Sequence, residues 1–204
     1  MRDKAHDLVE QAKADWLLRA SDGLEFLLAH AESPIEAMLL AQFVLSGCVN
    51  PSVREDSLPP ALWAVVLDLA GDPEGRSVSL LQTLSMRTYP WASPWSAMAF
   101  VVQMPVRIGD AEYRLDFALV EDPRAPGAGR GPCGAVRLGI EVDGHDFHER
   151  TKEQAARDKR RDRALTAAGW TMLRYTGSEV YRDPSAVFRD VIEQFGAARE
   201  RSLR

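Results

Sequence analysis

The segment Val136-Arg137-Leu138-Gly139-Ile140-Glu141-Val142-Asp143-Gly144 carries the strongest structural signal in the chain, because an apolar strand pattern ends in two acidic residues. A capping box, Thr151 with Gln154, predicts that a helix follows, and Gly169 predicts its end. The next residues, Trp170-Thr171-Met172-Leu173-Arg174-Tyr175, predict another strand. A strand, a helix and a strand in succession indicate an α/β fold.

Two further strands are predicted upstream, over residues 99–106 and 113–119, from their apolar and β-branched side chains. Pro105 lacks a backbone N–H, which favours an edge strand or a strand end at that point. Residues 122–134 hold four glycines and three prolines and predict a long exposed loop. Asp183-Pro184 predicts the start of a last helix.

The region before residue 97 is predicted to be helical. Ser33-Pro34-Ile35-Glu36 is typical of a helix start, with a serine N-cap, a proline in the first turn and a capping-box acid. Pro59-Pro60 predicts a second helix over residues 61–70, and because this helix is apolar nearly all round we expect it to be buried. Residues 71–96 are rich in turn-forming residues and are predicted to be mostly loop.

These elements together predict a central mixed β-sheet flanked by helices, with a helical N-terminal extension. The extension covers residues 1–96 and includes the Glu36 helix and an amphipathic stretch around residues 8–18. The α/β core covers residues 97–204.

The composition is that of an ordinary folded protein, with 204 residues of which 46% are hydrophobic and 27% charged. No apolar run approaches the roughly 20 residues that span a bilayer, and residues 1–7 lead into an acidic amphipathic pattern instead of a signal peptide. Cys48 and Cys133 are far apart and form no metal-binding pattern with a histidine. We therefore expect a cytoplasmic protein with reduced thiols and no membrane partner.

The net charge of −5 hides an uneven distribution. Residues 1–75 hold five basic and 13 acidic side chains, whereas residues 76–204 hold 20 basic and 17 acidic ones. Within the second part, residues 149–163 hold seven basic and four acidic side chains. The acidic total therefore does not exclude a nucleic-acid partner, since the basic residues concentrate in the predicted α/β core.

Three acidic residues of the core are candidates for a metal site. Glu141 and Asp143 lie two apart on a strand and so share one face, while Asp116 lies inside an otherwise apolar strand. Carboxylates that converge raise one another's pKa values unless a cation neutralises them. Hard oxygen ligands of this kind suit Mg²⁺, which would activate water and stabilise charge on a phosphodiester.

Each of these residues also has a simpler explanation. Asp116 could form an ion pair with Arg114 or Arg174, and the two acids at the strand end could be a solvated face. Glu36 is already explained as a helix cap, which is worth about 1 kcal/mol. Three neighbours could be ordinary turn and surface residues, namely Gly144, His145 and His148.

The order of five short motifs resembles the restriction-endonuclease-like (PD-(D/E)xK) superfamily, and within it the branch of the very-short-patch-repair endonucleases. The motifs are Asp116-Phe117, Glu141-Val142-Asp143-Gly144, His148, Asp158-Lys159-Arg160-Arg161-Asp162 and Gly169-Trp170-Thr171-Met172-Leu173-Arg174. The resemblance covers about residues 99–195. The resemblance implies that the core is nuclease-like, that acidic residues hold a divalent metal, and that phosphodiester bonds are hydrolysed.

The resemblance also implies roles for individual acids. Asp116 and Glu141 match the two metal-binding residues of the superfamily, and Glu36 matches an additional glutamate on a helix before the first strand. Asp143 would be a further metal ligand or would orient a metal-bound water. The implied cofactor is Mg²⁺, for which Mn²⁺ can substitute.

One residue of the superfamily pattern is missing, because its usual Glu-x-Lys ends here in Asp143. His148 could act as a base or hold a phosphate or water. Lys152 and Lys159 lie seven apart on the predicted helix, hence near one face, and either could reach back toward the site. These three residues join the acids as candidate catalytic residues.

The predicted helix after the acidic strand is rich in arginine. Arg157, Arg160 and Arg161, with Arg174 on the next strand, are candidate contacts for nucleic-acid phosphates, which give affinity without sequence readout. The alternative is that some of them pair with acidic residues one helical turn away.

The sequence therefore predicts a metal-dependent endonuclease that acts on DNA in a repair, restriction or mobile-element setting. One alternative is a catalytically inactive module on the same fold that binds nucleic acid or a partner, which the missing lysine favours. Another is that the acidic cluster only pairs with adjacent arginines. DNA is the expected partner, and a protein partner or a homodimer stays open.

Overall fold

The computed structural model describes residues 25, 28–46, 60–76, 78, 83–85, 98–124, 135–143 and 152–202, with the backbone alone for 83–85, 152–153 and 155. Its helices are α1 (Pro34–Leu45), α2 (Pro60–Ala70), α3 (Lys152–Ala167), α4 (Gly177–Arg182) and α5 (Pro184–Ser202). Its strands are β1 (Thr83–Ser85), β2 (Met98–Ile108), β3 (Ala111–Glu121), β4 (Arg137–Asp143) and β5 (Trp170–Thr176). The predicted helix around residues 8–18, Thr151 of the predicted capping box and most of the predicted loop over 122–134 lie outside the described residues.

The five strands form one mixed sheet in the order β1-β2-β3-β4-β5. Neighbours from β1 to β4 pair antiparallel, whereas β4 and β5 pair in parallel and are connected by α3. Parallel neighbours need a crossover, and the helix predicted between the two strands supplies it. Helices cover both faces of the sheet, which confirms the predicted mixed sheet flanked by helices.

Each face of the sheet carries its own hydrophobic core. The α1/α5 core packs the Phe43 ring of α1 at 4.8 Å from that of Phe100 on β2 and at 5.1 Å from that of Phe188 on α5 (ring centroids). The α2/α3 core packs Leu62 of α2 and Leu165 of α3 on the other face. The two described helices of the predicted N-terminal extension, α1 and α2, thus pack on the sheet, and the division of the chain at residue 97 stays a prediction.

The hairpin of β2 and β3 is longer than predicted because its turn has only two residues, Gly109 and Asp110. Gly109 has φ +60, a conformation that glycine adopts without strain and that allows the strands to pair up to the turn. Pro105 lies inside β2, opposite Arg114. β1 pairs only with residues 99–101, so within the described chain Pro105 interrupts no ladder on that side, as expected for an edge position.

Two short elements escape the sequence patterns. β1 has three residues, and it falls in the segment 71–96 that is predicted to be mostly loop. α4 has six residues and directly follows β5. Its capping box is visible in the sequence as Thr176 followed by Glu179, whose carboxylate accepts the Thr176 N–H at 2.7 Å.

The prediction that the helix over 61–70 is buried holds for one stripe of the helix only. Only Leu62, Val66 and Ala70 of α2 are buried, whereas Ala64 and Asp68 are exposed. The helix lies on one face of the sheet, so that residues three to four apart reach the core and the opposite side faces solvent despite its small or apolar side chains.

The side-chain faces of β2 and β3 reverse at Gln103 and Asp116. Val102 belongs to the α1/α5 core and Met104 to the α2/α3 core, although residues two apart on a regular strand share a face. β3 reverses in the same way across Asp116. Gln103 has φ +51, and in the described part of the chain it alone among non-glycine residues has a positive φ. A local backbone irregularity thus brings two polar side chains to one place in an apolar sheet.

A buried ion pair connects the end of β3 to α5. The Arg199 Nε atom lies 3.1 Å from the Glu121 carboxylate, and both side chains are almost wholly buried. The same carboxylate accepts the Val136 N–H at 3.2 Å, just before β4 begins. The pair therefore joins α5 to two strands of the sheet.

We expect Arg199→Met to lower the free energy of unfolding by about 3 kcal/mol, because it leaves Glu121 buried without its counter-charge. The double variant Glu121→Gln with Arg199→Met should recover most of that loss. Urea unfolding measures both. Arg189→Met is the control, since Arg189 is exposed and lies 3.9 Å from Asp183, and exposed pairs contribute at most about 1 kcal/mol. Equal losses in the single and double variants would contradict this account.

Candidate functional site

Asp116 lies where the pairing of β3 with β4 stops. The two strands pair as far as Phe117 and Ile140, and the next residues in register, Asp116 and Glu141, do not continue the ladder. Instead, Oδ2 of Asp116 accepts a hydrogen bond of 2.7 Å from the Val142 N–H. The side chain thus satisfies a backbone donor that the ladder leaves open, and a carboxylate enters the sheet at this point.

Three carboxylates influence one another around Asp116. Its pKa is raised from 3.8 to about 6, chiefly by burial and then by the negative charges of Glu36 and Glu141, whereas the Val142 N–H and the Arg161 guanidinium act to lower it. The acids come from α1, β3 and β4. Elements that are distant in sequence therefore meet in one electrostatic environment.

Glu36 caps its own helix and also reaches the sheet. Its N–H donates to Ser33 Oγ at 3.2 Å, and this hydroxyl donates back to Glu36 Oε1 at 2.8 Å. Oε2 of Glu36 accepts the Glu32 N–H at 3.0 Å and Nε2 of Gln103 at 2.8 Å. The predicted serine N-cap is present, and the capping acid extends from the start of α1 to β2.

Two arginines hold Glu141. Nη1 of Arg161 donates to Glu141 Oε2 at 2.9 Å and Nη2 donates to Oε1, so that the guanidinium binds both carboxylate oxygens. Arg161 also donates to the Arg114 carbonyl at 2.6 Å, which ties α3 to β3. Nη2 of Arg174 lies 3.1 Å from Glu141 Oε2. Glu141 therefore pairs with adjacent arginines, as in the alternative explanation of the acidic cluster.

Arg174 connects the acids of β4 to α3. It is the register partner of Glu141 on the parallel strand β5, and its Nη2 donates to Asp162 Oδ1 at 2.7 Å. Its Nη1 lies 4.0 Å from Asp143, as expected if the two acids of β4 share a face. The alternative that Asp116 pairs with Arg114 or Arg174 does not hold, since Arg114 binds Glu32 at 2.6 Å and Arg174 binds the other acids.

The charged residues of α3 divide between two faces. Arg161 and Asp162 face the acids, and of the predicted nucleic-acid contacts Arg161 and Arg174 are therefore partners of carboxylates within the site. The exposed face carries four further basic residues, Arg157, Lys159, Arg160 and Arg163. His148 and the Lys152 side chain lie outside the described part of the chain.

Gln103 belongs to this site, although no sequence motif includes it. Its side chain is 8% exposed, and the register of β2 and β3 sets it opposite Asp116. Its Oε1 atom is buried and has no hydrogen-bond partner among the described residues. Such an atom costs about 1–3 kcal/mol. The sequence signal that could have identified Gln103 is the one that identified Asp116, namely a polar residue inside an apolar strand.

The donor chemistry of the cluster fits a divalent cation. Carboxylate oxygens of Asp116, Glu36 and Glu141, together with the orphan Oε1 of Gln103, are the hard ligands that Mg²⁺ prefers. Within the described residues, no group of three or more His, Cys, Asp or Glu side chains is arranged to hold a metal ion. Glu141 is bound to its two arginines in this arrangement.

The comparison with protein families agrees with this architecture. Residues 99–195, just under half of the chain, match the model of REase_MTES_1575, a restriction-endonuclease-like family. The match supports a restriction-endonuclease-like domain. It includes Asp116, Glu141 and both arginines of the site, while Glu36 precedes it. No curated protein and no solved structure is significantly similar to the chain. Among the described helices, none is long and apolar enough to cross a membrane.

We expect Asp116→Asn to stabilise the metal-free protein at pH 7.5, by up to about 2 kcal/mol. The raised pKa means that the folded state binds a proton more tightly than the unfolded state. Wild-type stability therefore falls as the pH rises from about 4 to 6, and the ionised side chain carries the full cost above that range. Asparagine removes the charge but still accepts the Val142 N–H.

Urea unfolding in chelator at pH 4 and at pH 7.5 measures this difference. Most of the gain seen at pH 7.5 should be lost at pH 4, where Asp116 is protonated in the folded state and about half ionised in the unfolded state. Asp110→Asn, in the exposed turn of the β2–β3 hairpin, is the matched control. An Asp116→Asn protein that is no more stable than wild type at pH 7.5 would refute the explanation.

Proposed function

We propose that the chain is a metal-dependent endonuclease that hydrolyses phosphodiester bonds in DNA. The observation that carries the proposal is the position of Asp116, which accepts the Val142 N–H where the sheet ladder stops and whose pKa is raised by burial and by the charges of Glu36 and Glu141. These acids lie in and beside a segment that matches a restriction-endonuclease-like family. Like charges in a half-buried position are unfavourable for folding. Groups with perturbed pKa values of this kind cluster at functional sites.

The residues that would hold the cation are Asp116, Glu141 and Glu36, with Asp143 as a further ligand or as the group that orients the attacking water. The cation is Mg²⁺, for which Mn²⁺ can substitute. When bound, a divalent cation stabilises charge on the phosphate and lowers the pKa of a coordinated water.

Arg161 and Arg174 bring phosphate-binding groups to the same acids. A guanidinium group matches a pair of phosphate oxygens as well as it matches a carboxylate. A phosphodiester beside Glu141 therefore competes with this carboxylate for both arginines. In this mechanism, the substrate phosphate binds the two arginines in place of Glu141, so that substrate binding releases Glu141 from its counter-charges.

The role of the missing lysine is assigned to His148, Lys152 or Lys159. Lys159 is exposed, and Arg161, two residues further along α3, bonds to the acids. A lysine on the exposed face is better suited to contact the DNA backbone than the attacking water. This geometry favours His148 or Lys152 for orienting water or accepting its proton.

The exposed face of α3 supports DNA as the substrate. Four basic side chains lie along it, Arg157, Lys159, Arg160 and Arg163. Such a row attracts phosphates without reading base edges. The motif order favours the branch of the very-short-patch-repair endonucleases, and a cytoplasmic repair, restriction or mobile-element setting is part of the proposal.

A second candidate is a catalytically inactive module that binds nucleic acid or a partner on the same fold. Two observations favour it: both oxygens of Glu141 are bound by arginine, and Asp143 stands in the usual place of the lysine. This candidate requires DNA binding without cleavage and without heat of Mn²⁺ binding in calorimetry.

We expect the purified protein to cut plasmid or single-stranded DNA in Mg²⁺ or Mn²⁺, and Asp116→Asn or Glu141→Gln to abolish cutting. Both substitutions keep the shape of the side chain and remove a charge that binds the cation. Gel assays, with circular dichroism to verify folding, measure the result. Asp190→Asn on α5 is the matched control, since Asp190 accepts the Tyr175 hydroxyl away from the acids. Cutting that survives both substitutions, or that proceeds equally in chelator, would exclude this mechanism.

We expect the double variant Arg157→Gln with Arg160→Gln to weaken DNA binding at every sequence. The slope of log K against log salt concentration should decrease by about 0.9 for each phosphate that the protein no longer neutralises, or about 1.8 in total. Fluorescence anisotropy at several salt concentrations measures the slope. Arg189→Gln, an exposed arginine of α5 on the other side of the sheet, should leave it unchanged. An unchanged slope in the double variant would remove α3 from the interface.

A further inference from the structure

Gln103 contacts the acid cluster from β2, a strand that contributes none of its acids. Its side chain is 8% exposed, and its Nε2 donates to Glu36 Oε2 at 2.8 Å. Across the hairpin it lies opposite Asp116, at the point where the pairing of β2 with β3 is interrupted. Gln103 thus binds one acid of the cluster and is in backbone register with another.

The carboxylate of Glu36 determines which end of this amide is free. A carboxylate only accepts hydrogen bonds, so it selects the NH₂ end of Gln103 and turns the carbonyl oxygen away from itself. That oxygen, Oε1, is buried and has no hydrogen-bond partner among the described residues. A buried carbonyl oxygen without a donor calls for an explanation, and coordination of a cation is one.

The backbone of Gln103 adds a second, independent observation. Its φ of +51 lies in the left-handed region, which glycine or asparagine adopts more easily than glutamine. Backbone strain of this kind persists where the surrounding structure holds it, and it concentrates at functional sites. Here it directs a long amide side chain to the acids, where a shorter side chain would not extend as far.

We propose that Gln103 is a residue of the cation site, in which Nε2 holds Glu36 in position and Oε1 is a neutral oxygen ligand beside Asp116. An amide oxygen adds a hard ligand without adding a fourth negative charge to the three carboxylates. The inference rests on the proposed function, since it assigns a further ligand to the same cation.

Titration of the full chain with Mn²⁺ alone, measured by isothermal titration calorimetry, tests the proposal. Gln103→Leu removes the oxygen, and we expect the dissociation constant for Mn²⁺ to rise about tenfold or more. Gln103→Glu keeps an oxygen at the same reach but loses the donor to Glu36, and we expect it to bind Mn²⁺ more tightly than Gln103→Leu does. Gln194→Leu is the matched control, because Gln194 donates to Asp190 at 3.3 Å on α5, away from the cluster.

The glutamate variant separates a ligand from a residue that only positions Glu36. Glutamate cannot donate to Glu36 and repels it, so a positioning role alone requires Gln103→Glu to lose Mn²⁺ affinity as Gln103→Leu does. That result overturns the proposal. Gln103→Gly removes the side-chain oxygen and also the backbone strain at this position. Because the oxygen is lost, we expect Mn²⁺ to raise the Tm of this variant less than it raises the Tm of wild type.

Failure of this inference differs from failure of the proposed function. If wild type binds Mn²⁺ and cuts DNA while the leucine and glycine variants bind Mn²⁺ as tightly, Gln103 is not a ligand and the nuclease proposal stands. If wild type neither binds Mn²⁺ nor cuts DNA, the proposed function fails and the ligand assignment fails with it.

Discussion

The Val142 N–H donates to the Asp116 carboxylate at the point where a strand ladder would otherwise continue. The arrangement of the site follows from this replacement of a backbone acceptor by a carboxylate. A charged group in a half-buried position is unfavourable, and one backbone donor offsets only part of the cost, as the raised pKa of Asp116 records. The neighbouring acids have hydrogen-bond partners of their own. Arg161 binds the Glu141 carboxylate, and the Gln103 amide donates to Glu36.

The groups that surround Asp116 also assemble the fold. Glu36 caps α1 and binds β2, so the helix start and the acid cluster share one carboxylate. Arg161 binds Glu141 and a β3 carbonyl, which connects α3 to two strands. Charges that the proposed chemistry needs therefore also orient helices on the sheet. The proposed function would therefore place a cost on stability, which is a common trade-off in enzymes.

Most of the fold could be predicted because its signals are local. The strand at residues 136–142 and the serine cap of α1 depend on neighbouring residues alone, and the structure contains both. β1 was not predicted because three residues carry no periodic pattern. α2 was predicted to be buried because it is apolar nearly all round. How much of such a helix is covered depends on what packs against it, and here one sheet face covers one stripe.

The candidate site, like the fold, could be predicted from the sequence only in part. The amino-acid sequence by itself determined which acids were candidates: Asp116 stands out in an apolar strand, Glu141 lies at a strand end, and Glu36, an ordinary capping residue by its neighbours, was added by the order of the motifs. Only the tertiary structure decided what surrounds them, namely two arginines on Glu141 and the Gln103 amide on Glu36. The physical reason is that these contacts depend on strand register and on a backbone irregularity in β2, which join residues that no local pattern relates.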